Sequence, residues 1–324
     1  MSAFIGIDVS KATLDVAIRT DAQYQYFQVK NTVAGFRKLQ RHLCQQPAIT
    51  RIALEASGRY GEPLAHWLLE HGYPVSYLNP KLTRRFAQSQ LRYNKTDAQD
   101  AQIIAQYAHL HCPPIWTAPS HAQRLLTQRS RRLDVLKKTR QQEINRLKSG
   151  INDEFVYHQL ETHIAYLDGL IAKTDAAIRA LIKQDPLLKR NYTLLTSIQG
   201  IGETVASLFL AEIGDFGRFQ SVKQLTAFIG LDAQDWQSGT SVNRPAHISK
   251  QGNSRLRAGL YMPALTAIKH NLACRQLHQR LLDRHKPGKV RVVAVMRKLV
   301  HQMYGVLKHQ QPFDNYYEFP HLNT

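Results

Sequence analysis

Three short segments between residues 3 and 29 alternate apolar and polar side chains. Alternation with a period of two is typical of strands that bury one face, and the turns between these segments are too short to contain a helix. The pattern therefore predicts an antiparallel meander of three strands. A β-branched, apolar run from Ile49 to Glu55 and the segment YPVSYLNP, residues 73–80, predict two further strands.

Helical periodicity fills the intervals around these two later strands. Helices are predicted from Val33 to Leu43, across EPLAHWLLEHG as far as Gly72, and from about Asp97 onward. Three strands, helix, strand, helix, strand and helix is the element order of the ribonuclease-H-like fold. Residues 1–112 are therefore predicted to form an α/β domain of this type, with parallel strands in its second half.

The chain changes character after a proline-containing stretch, residues 111–120, which is predicted to be a linker. Residues 121–186 contain two long, charged helical runs, and the second has the heptad-like spacing of a coiled coil. The two helices are therefore predicted to form an antiparallel hairpin or a pair between subunits, although an ordinary helical bundle explains the pattern equally well. The apolar positions of the second run are Ile164, Leu167, Ile171, Ile178 and Leu181.

Residues 190–324 are predicted to form a third domain that is mainly helical and basic. Two apolar helical runs are joined through Gly200 and Gly202, and glycines at such a turn let the backbone approach a phosphate beside the free N–H groups of the next helix. The arrangement resembles a helix-hairpin-helix, which binds the DNA backbone without sequence preference. A polar, basic segment at 232–257 and two Lys- and Arg-rich helices complete the domain.

The composition indicates the kind of partner. Lys and Arg number 43 against 24 Asp and Glu, which gives a formal charge of +19. Solubility alone needs far less charge, so the excess predicts a polyanionic partner, with nucleic acid the first candidate. The 3 cysteines are widely spaced and lack CxxC spacing, which argues against disulfides and a zinc site and favours a reducing cytoplasm. No apolar run of about 18 residues or signal peptide is apparent, so neither a membrane protein nor a secreted one is expected.

Four carboxylates are predicted to converge in the first domain. Asp8 lies within the first strand and Glu55 closes the fourth, and these strands are neighbours in a ribonuclease-H-like sheet. Asp97 and Asp100 share one face of the last helix, which packs beside the same edge. Like charges in one pocket repel unless cations lie among them. Two Mg²⁺ ions about 4 Å apart would satisfy the four acids, activate a nucleophile and stabilise the leaving oxygen.

Each acid also has a simpler explanation. Thr96 can cap the last helix, in which case Asp97 and Asp100 only favour its N-terminus, and Glu55 can begin a turn. Asp8 has the poorest such explanation, because an unpaired carboxylate in an apolar strand is costly. Several cations flank the acids and are candidates for phosphate contacts, although a solvated surface charge is the default for each. They are Lys11, Arg84, Arg85, Arg92 and Lys95.

Five ordered motifs, spread over nearly the whole chain, resemble those of a known family. They read FIGIDVSKATLDVA, IALEASGRYGEPLA, NKTDAQDAQIIAQYA, LLTSIQGIGETVASLFLAEIG, and SGTSV followed by ISKQGNSRLRAGLYMPAL. Together they are similar to the DEDD transposases of the IS-one-ten insertion-sequence family, relatives of the Piv DNA invertase. The resemblance implies a RuvC-like nuclease domain at 1–112, a coiled-coil hairpin at 121–186 and a C-terminal transposase domain at 190–324.

The resemblance also implies which residues act. By motif match, Asp8, Glu55, Asp97 and Asp100 are the catalytic, Mg²⁺-binding acids, and Ser238 attacks a DNA phosphodiester and holds the broken end as a 5′-phosphoserine. Serine is a weak nucleophile at neutral pH, so activation by a bound metal is expected. Members of the family act as homo-oligomers, here a dimer or a tetramer. They are guided by a structured RNA from the element, which pairs with target and donor DNA.

One departure from the family pattern concerns the serine segment. Arg244 and Pro245 stand where family members often have glycine, which leaves open whether Ser241 assists or replaces Ser238. Cations in and after this segment are candidates for contacts with phosphate or RNA, with solvated charge again the default. They are Arg244, Lys250, Arg255 and Arg257.

Two other functions remain open from the sequence. A structure-selective endonuclease resembling a Holliday-junction resolvase would use the same acids with water and form no serine adduct. A basic nucleic-acid-binding scaffold would use the acids only as helix caps. The long C-terminal domain favours a transposase or site-specific recombinase over a resolvase, which has little need of it.

Overall fold

The computed structural model describes residues 2–55, 60–90, 96–238 and 242–315, with side chains described in these ranges except over 235–246. The chain divides into two compact units, Met1–Ala118 and Pro119–Thr324. The first unit is a mixed α/β structure and the second is mainly helical. The predicted hairpin region and the predicted C-terminal domain thus fall within one unit.

Five strands and four helices make up the described part of the first unit. The strands are β1 (Ser2–Val9), β2 (Thr13–Thr20), β3 (Gln23–Lys30), β4 (Ala48–Glu55) and β5 (Val75–Leu78). The helices are α1 (Val33–Leu43), α2 (Glu62–Glu70), α3 (Pro80–Ser89) and α4 (Asp97–His111). The hydrophobic pattern predicts all of these except α3. This helix is short and mostly polar, and Thr83 is its one buried residue.

The five strands form one sheet in the order β3-β2-β1-β4-β5. β1, β2 and β3 are antiparallel, whereas β4 is parallel to both β1 and β5. The predicted neighbourhood of the first and fourth strands is therefore confirmed. A mixed sheet of this kind with helices is consistent with a ribonuclease-H-like domain.

Helix α4 packs closely on one face of this sheet. A Cβ at Gly6 would lie 2.2 Å from the carbonyl oxygen of Ala101 and 2.2 Å from the amide nitrogen of Ala105, so only glycine permits this approach. Asp8 is two residues further along β1 and therefore lies on the same face, toward the N-terminal end of α4. Thr96 caps that end by accepting a hydrogen bond from the Gln99 amide at 3.3 Å, as predicted.

The predicted linker is docked on the edge strand of the sheet. The Ser76 hydroxyl of β5 lies 3.0 Å from the Pro113 carbonyl oxygen and 2.8 Å from that of Pro114. The Trp116 amide donates to the Val75 carbonyl at 2.7 Å. These bonds cover the outer edge of β5 and carry the chain to the boundary between the two units.

Nine helices, one 3-10 turn and a two-stranded ribbon make up the described part of the second unit. The helices are α5 (His121–Leu147), α6 (Glu154–Gln184), α7 (Pro186–Thr196), α8 (Glu203–Ile213), α9 (Val222–Ile229), α10 (Ser254–Gly259), α11 (Tyr261–His270), α12 (Leu272–Asp283) and α13 (Gly288–His309). The 3-10 turn is Phe216–Arg218, and the ribbon pairs β6 (Ala233–Ser238) with β7 (Val242–Ile248) in antiparallel fashion. None of the described helices is long and apolar enough to cross a membrane.

The two long helices α5 and α6 form an antiparallel hairpin within one chain. The Arg129 guanidinium donates to the Ala177 carbonyl at 2.7 Å, and Arg140 forms an ion pair with Asp168. Because the partner's number falls as the α5 number rises, the helices run in opposite directions. The base of the hairpin shares one hydrophobic core with α8 and α13. Core residues from these four helices include Leu126, Leu133, Ile178, Leu181, Phe209, Val295 and Leu299.

Candidate active site

Asp8 is the centre of the acidic group in the first unit. It is half-buried near the end of β1. Burial, followed by the charges of Asp100, Glu55 and Asp97, raises the pKa of Asp8 from 3.8 to about 6, although a backbone hydrogen bond with Val9 acts in the opposite direction. The structure thus brings the four predicted acids within electrostatic reach of one another.

The carboxylates do not converge closely enough to form a metal site. Within 2–55, 60–90, 96–238 and 242–315, no group of three or more His, Cys, Asp or Glu side chains is close enough to hold a metal ion. Repulsion between charges acts over several ångströms, whereas Mg²⁺ needs its oxygen ligands at about 2.1 Å. The acids therefore match a hard cation in donor type, and side-chain rotation would have to bring them into ligand distance.

Glu55 has a partner that the sequence did not indicate. The Thr83 hydroxyl of α3 donates to the Glu55 Oε2 atom at 2.8 Å. Thr83 is only 4% exposed, so this bond is shielded from water. The sequence offered no signal for Thr83, because α3 is not among the predicted helices and a threonine is not an obvious companion for a carboxylate.

A fifth acid, Asp15, lies directly opposite Asp8 in the pairing of β1 with β2. It is 1% exposed and accepts hydrogen bonds from the Tyr26 hydroxyl and, at 2.9 Å, from the Gln28 side chain. The bond to Asp15 is the largest cause that raises the pKa of Tyr26 to about 12, and the Asp97 charge contributes as well. Asp15 is therefore a buried acid with two donors of its own, and it is not one of the four predicted acids.

The predicted phosphate-binding cations around the acids are only partly described. Lys11, Arg84 and Arg85 are exposed, the latter two on α3. Arg92 and Lys95 lie outside the described residues. The nucleic-acid contacts of all five stay predictions.

Ser238 ends β6 at the far end of the ribbon, where it pairs with Val242 of β7. The side chains of Ser238 and Arg244, and the whole of Ser241, lie outside the described residues. The sequence treated this segment as irregular, because its polar residues show no buried face; the ribbon is a correction to that reading.

The base of the ribbon is fixed to α9. The Ser249 hydroxyl donates to the Asp232 carboxylate, and the Lys250 amide donates to the Gly230 carbonyl at 3.2 Å. A Cβ at Gly252 would be 2.4 Å from the Phe228 carbonyl oxygen, so the returning chain presses against the end of α9. The ribbon therefore projects from an ordered support.

A buried ionic network holds the segment after the ribbon. Glu212 of α8 accepts a hydrogen bond from the Asn253 side chain at 2.6 Å and forms ion pairs with Arg131 and Arg255 at 3.3 and 3.2 Å. Arg255 also lies 2.7 Å from Asp134 of α5. The network ties α10 to both α8 and α5, so Arg255 has structural partners in addition to its predicted nucleic-acid contact.

Other predicted nucleic-acid residues differ in their surroundings. The Arg257 guanidinium donates to the Ile229 carbonyl at 2.8 Å, whereas Lys250 is exposed. Gly200 has φ +104°, and its missing Cβ would be 2.8 Å from the Ala267 Cβ, so packing on α11 explains this glycine. The phosphate contact of Gly200 stays a prediction. Gly202 begins α8 and has open space around its Cβ position, as that expectation requires.

A group of exposed cations surrounds the turn between α12 and α13, and we call it the basic turn. None of its members lies within ion-pair distance of a carboxylate in the part of the chain that the structure describes. Three arginines of α5 differ, because Arg131, Arg140 and Arg146 form ion pairs with Glu212, Asp168 and Glu143. The basic turn consists of Arg280, Arg284, Lys286 and Lys289.

Comparison with known proteins identifies the kind of protein that carries these features. A DEDD transposase model of the IS110 type matches residues 5–156, and a model described as transposase of the IS116/IS110/IS902 family matches residues 192–279. The protein is therefore a transposase, an enzyme of DNA recombination. The pilin gene-inverting protein of Moraxella lacunata is 32% identical over 322 residues, 96% of this chain and 97% of its own. The chain belongs to the IS110 family of transposases.

Two further relatives show how far the similarity extends. A putative transposase of Sinorhizobium fredii, y4qE, is 25% identical over 282 residues, 82% of this chain and 71% of its own. The transposase of insertion sequence element IS1111A from Coxiella burnetii is 25% identical over 240 residues, 63% of each chain. The first family model includes all four predicted acids and the second includes the ribbon, whereas the basic turn lies beyond both.

Proposed function

We propose that this transposase cuts and rejoins DNA with an acidic, metal-binding centre and a serine nucleophile. The observation that carries the proposal is the shared electrostatic field of Asp8, Glu55, Asp97 and Asp100. A group of like charges with no internal cation is unfavourable by itself, and such arrangements are typical of functional sites.

The four acids are the residues that would hold Mg²⁺, and two ions would give each carboxylate a cationic partner. The raised pKa of Asp8 supports this assignment, because a bound cation would relieve the repulsion that raises it. When bound, the ions supply activation of the attacking oxygen and neutralisation of the leaving one. The protein's own contribution is to hold the carboxylates at the ends of β1 and β4 and in the first turn of α4.

Ser238 is the proposed nucleophile. Its hydroxyl oxygen would form a bond to phosphorus as the bond from phosphorus to the 3′ oxygen breaks, and the leaving oxygen would take up a proton. The product is a 5′-phosphoserine and a free 3′-hydroxyl, and the reverse reaction with another 3′-hydroxyl rejoins the strands. The anchored base of the ribbon supports this role, because a nucleophile must be held in a defined position. Ser241 is the alternative within the same loop.

The partners we propose are double-stranded target and donor DNA, a structured guide RNA, and further copies of the chain in a dimer or tetramer. The formal charge of +19 supports polyanionic partners. The name of the Moraxella relative describes inversion of a pilin gene, which is a DNA rearrangement and supports strand exchange here.

A denaturing gel of the protein with end-labelled DNA and MgCl₂ tests the serine. The expected result is a covalent protein–DNA adduct that is lost in Ser238→Ala and retained in Ser241→Ala. Adduct loss only in Ser241→Ala would move the nucleophile to that residue. Cleavage without any adduct would support the resolvase-type endonuclease, and unchanged activity in Asp8→Asn would support the non-catalytic scaffold.

A further inference from the structure

The chain is routed so that α3 lies over the end of β4. Glu55 is the last residue of β4 and pairs with Leu78, the last residue of β5. Immediately after Leu78, Asn79 caps α3 by accepting a hydrogen bond from the Lys81 amide at 3.0 Å. This abrupt start of the helix brings Thr83, in its first turn, to the Glu55 carboxylate.

Thr83 is unusual within its helix. Its neighbours Leu82 and Arg84 are exposed, whereas Thr83 is 4% exposed and is the one buried residue of α3. A valine would fill the same volume, so packing alone does not require a hydroxyl here. The hydroxyl lies 2.8 Å from the Glu55 Oε2 atom and 3.0 Å from the Pro80 carbonyl oxygen.

We propose that Thr83 is a positioning residue, which orients the Glu55 carboxylate for cation binding. The inference rests on the proposed function, in which Glu55 is a metal ligand. A hydroxyl that donates to Oε2 fixes the plane of the carboxylate and leaves Oε1 free to face a cation. The β-branched side chain of threonine has a restricted χ1 angle, so the donor itself has little freedom. Outer partners of this kind commonly change metal affinity by about 10-fold to 100-fold.

The competing explanation is local. A threonine hydroxyl often bonds to a carbonyl of the preceding helical turn, and the Pro80 carbonyl is available for this. A purely local role predicts that loss of the hydroxyl changes the stability of α3 and leaves cation binding unchanged. The two roles therefore differ in a measurable quantity.

The test measures the Kd for Mn²⁺ of the full chain without nucleic acid, with electron paramagnetic resonance to quantify free Mn²⁺. Thr83→Val removes the hydroxyl and keeps the shape, whereas Thr83→Ser keeps the hydroxyl. Thr226→Val is the matched control, because Thr226 is 1% exposed and its hydroxyl donates to the Val222 carbonyl of its own helix at 2.7 Å. Thr83→Ala repeats the removal with a smaller side chain, in case the valine variant does not fold.

The expected result is a Kd for Mn²⁺ about 10-fold or more higher in Thr83→Val and Thr83→Ala, with Thr83→Ser and Thr226→Val close to wild type. In the background of Glu55→Gln, Thr83→Val should have no further effect, because its target is gone. Wild-type affinity in both hydroxyl-free variants, or an equal loss in the Glu55→Gln background, overturns the inference.

The outcomes also separate this inference from the proposed function. If wild type binds Mn²⁺ and Glu55→Gln weakens it while Thr83→Val does not, the metal site stands and the role of Thr83 fails. If wild type binds no Mn²⁺, the proposed metal site fails, and the positioning role fails with it.

Discussion

Asp8 in the first unit and Glu212 in the second are both acids packed among regular elements, yet their surroundings are opposite. Asp8 is half-buried, and its burial, together with the charges of three other carboxylates, raises its pKa. Glu212 is 3% exposed at its side chain and is matched by two arginines and an asparagine. A buried charge with complete partners stabilises a particular arrangement of helices, whereas an acid surrounded by acids costs stability until a cation binds. The surroundings of each acid therefore distinguish the structural role of Glu212 from the metal-binding role proposed for Asp8.

The largest effect is expected from Asp8→Asn in DNA cleavage. Loss of one carboxylate from the acidic centre should reduce Mg²⁺-dependent cleavage by about 1,000-fold, because a catalytic metal contributes several kcal/mol to the barrier. Single-turnover rates on labelled DNA measure this, with Glu70→Gln, an exposed acid of α2, as the control. Equal cleavage rates for wild type and Asp8→Asn would contradict a role of Asp8 in DNA cleavage.

Glu212→Ala tests whether the ionic network around Glu212 stabilises the fold. It leaves Arg255 with Asp134 alone and the Asn253 side chain without its acceptor, so the free energy of unfolding should fall by about 3 kcal/mol. Urea denaturation measures the change, with Glu161→Ala on the exposed surface of α6 expected to cost less than about 0.5 kcal/mol. Similar costs at the two positions would mean that the network contributes no more than a surface pair.

The pH dependence of stability sharpens the contrast further. In cation-free buffer the folded state binds a proton at Asp8 up to about pH 6, whereas the ordinary value is 3.8. The carboxylate therefore lowers stability as pH rises between these values, and the cost is complete above them. The free energy of unfolding of Asp8→Asn should equal that of wild type below pH 4 and exceed it by about 1 kcal/mol above pH 6. This figure is smaller than the full pKa shift implies, because water screens the charge of a partly exposed group.

Thermal melts from pH 4 to pH 8 measure this difference. MgCl₂ at pH 8 should then stabilise wild type more than Asp8→Asn. A constant difference across the whole pH range would show that ionisation of Asp8 is not its source.

The smallest effect concerns cations rather than acids. Replacing the four residues of the basic turn by glutamine should weaken nucleic-acid binding and reduce the slope of log K against log salt by about 0.9 for each lost phosphate contact. The control replaces four exposed cations of the first unit, Lys30, Arg37, Lys38 and Arg41. Binding of labelled DNA and RNA duplexes is measured for both variants and wild type across a salt series. Equal slopes of log K against log salt for the basic-turn variant and wild type would mean that the basic turn makes no phosphate contacts.

The sequence predicts the acidic centre well because element order determines strand order. Asp8 and Glu55 are 47 positions apart, and only the parallel pairing of β1 with β4 brings their strands together. The order of strands and helices along the chain predicts that pairing, because it matches the ribonuclease-H-like fold. Asp97 and Asp100 then follow from helical spacing and from the packing of α4 on the same face.

The sequence does not predict partners that depend on tertiary contacts between polar residues. Thr83 lies in a short, mostly polar helix, and Glu212 lies inside an apolar helical run that gives no sign of the arginines it contacts. The close contact of Gly200 with Ala267 of α11 is likewise not indicated by the sequence. In each case the deciding neighbour is distant in the chain, and no periodicity identifies it.

The segment after α4, which is docked on β5, determines where the first unit could be separated from the second. A chain that stops at His111 would lose the hydrogen bonds that Pro113, Pro114 and Trp116 make to β5, and the outer edge of this strand would be exposed. Bare edges recruit strands from other molecules, so such a fragment should aggregate. A fragment extended through Ala118 keeps its own edge protection and is the shortest version from which soluble expression is expected.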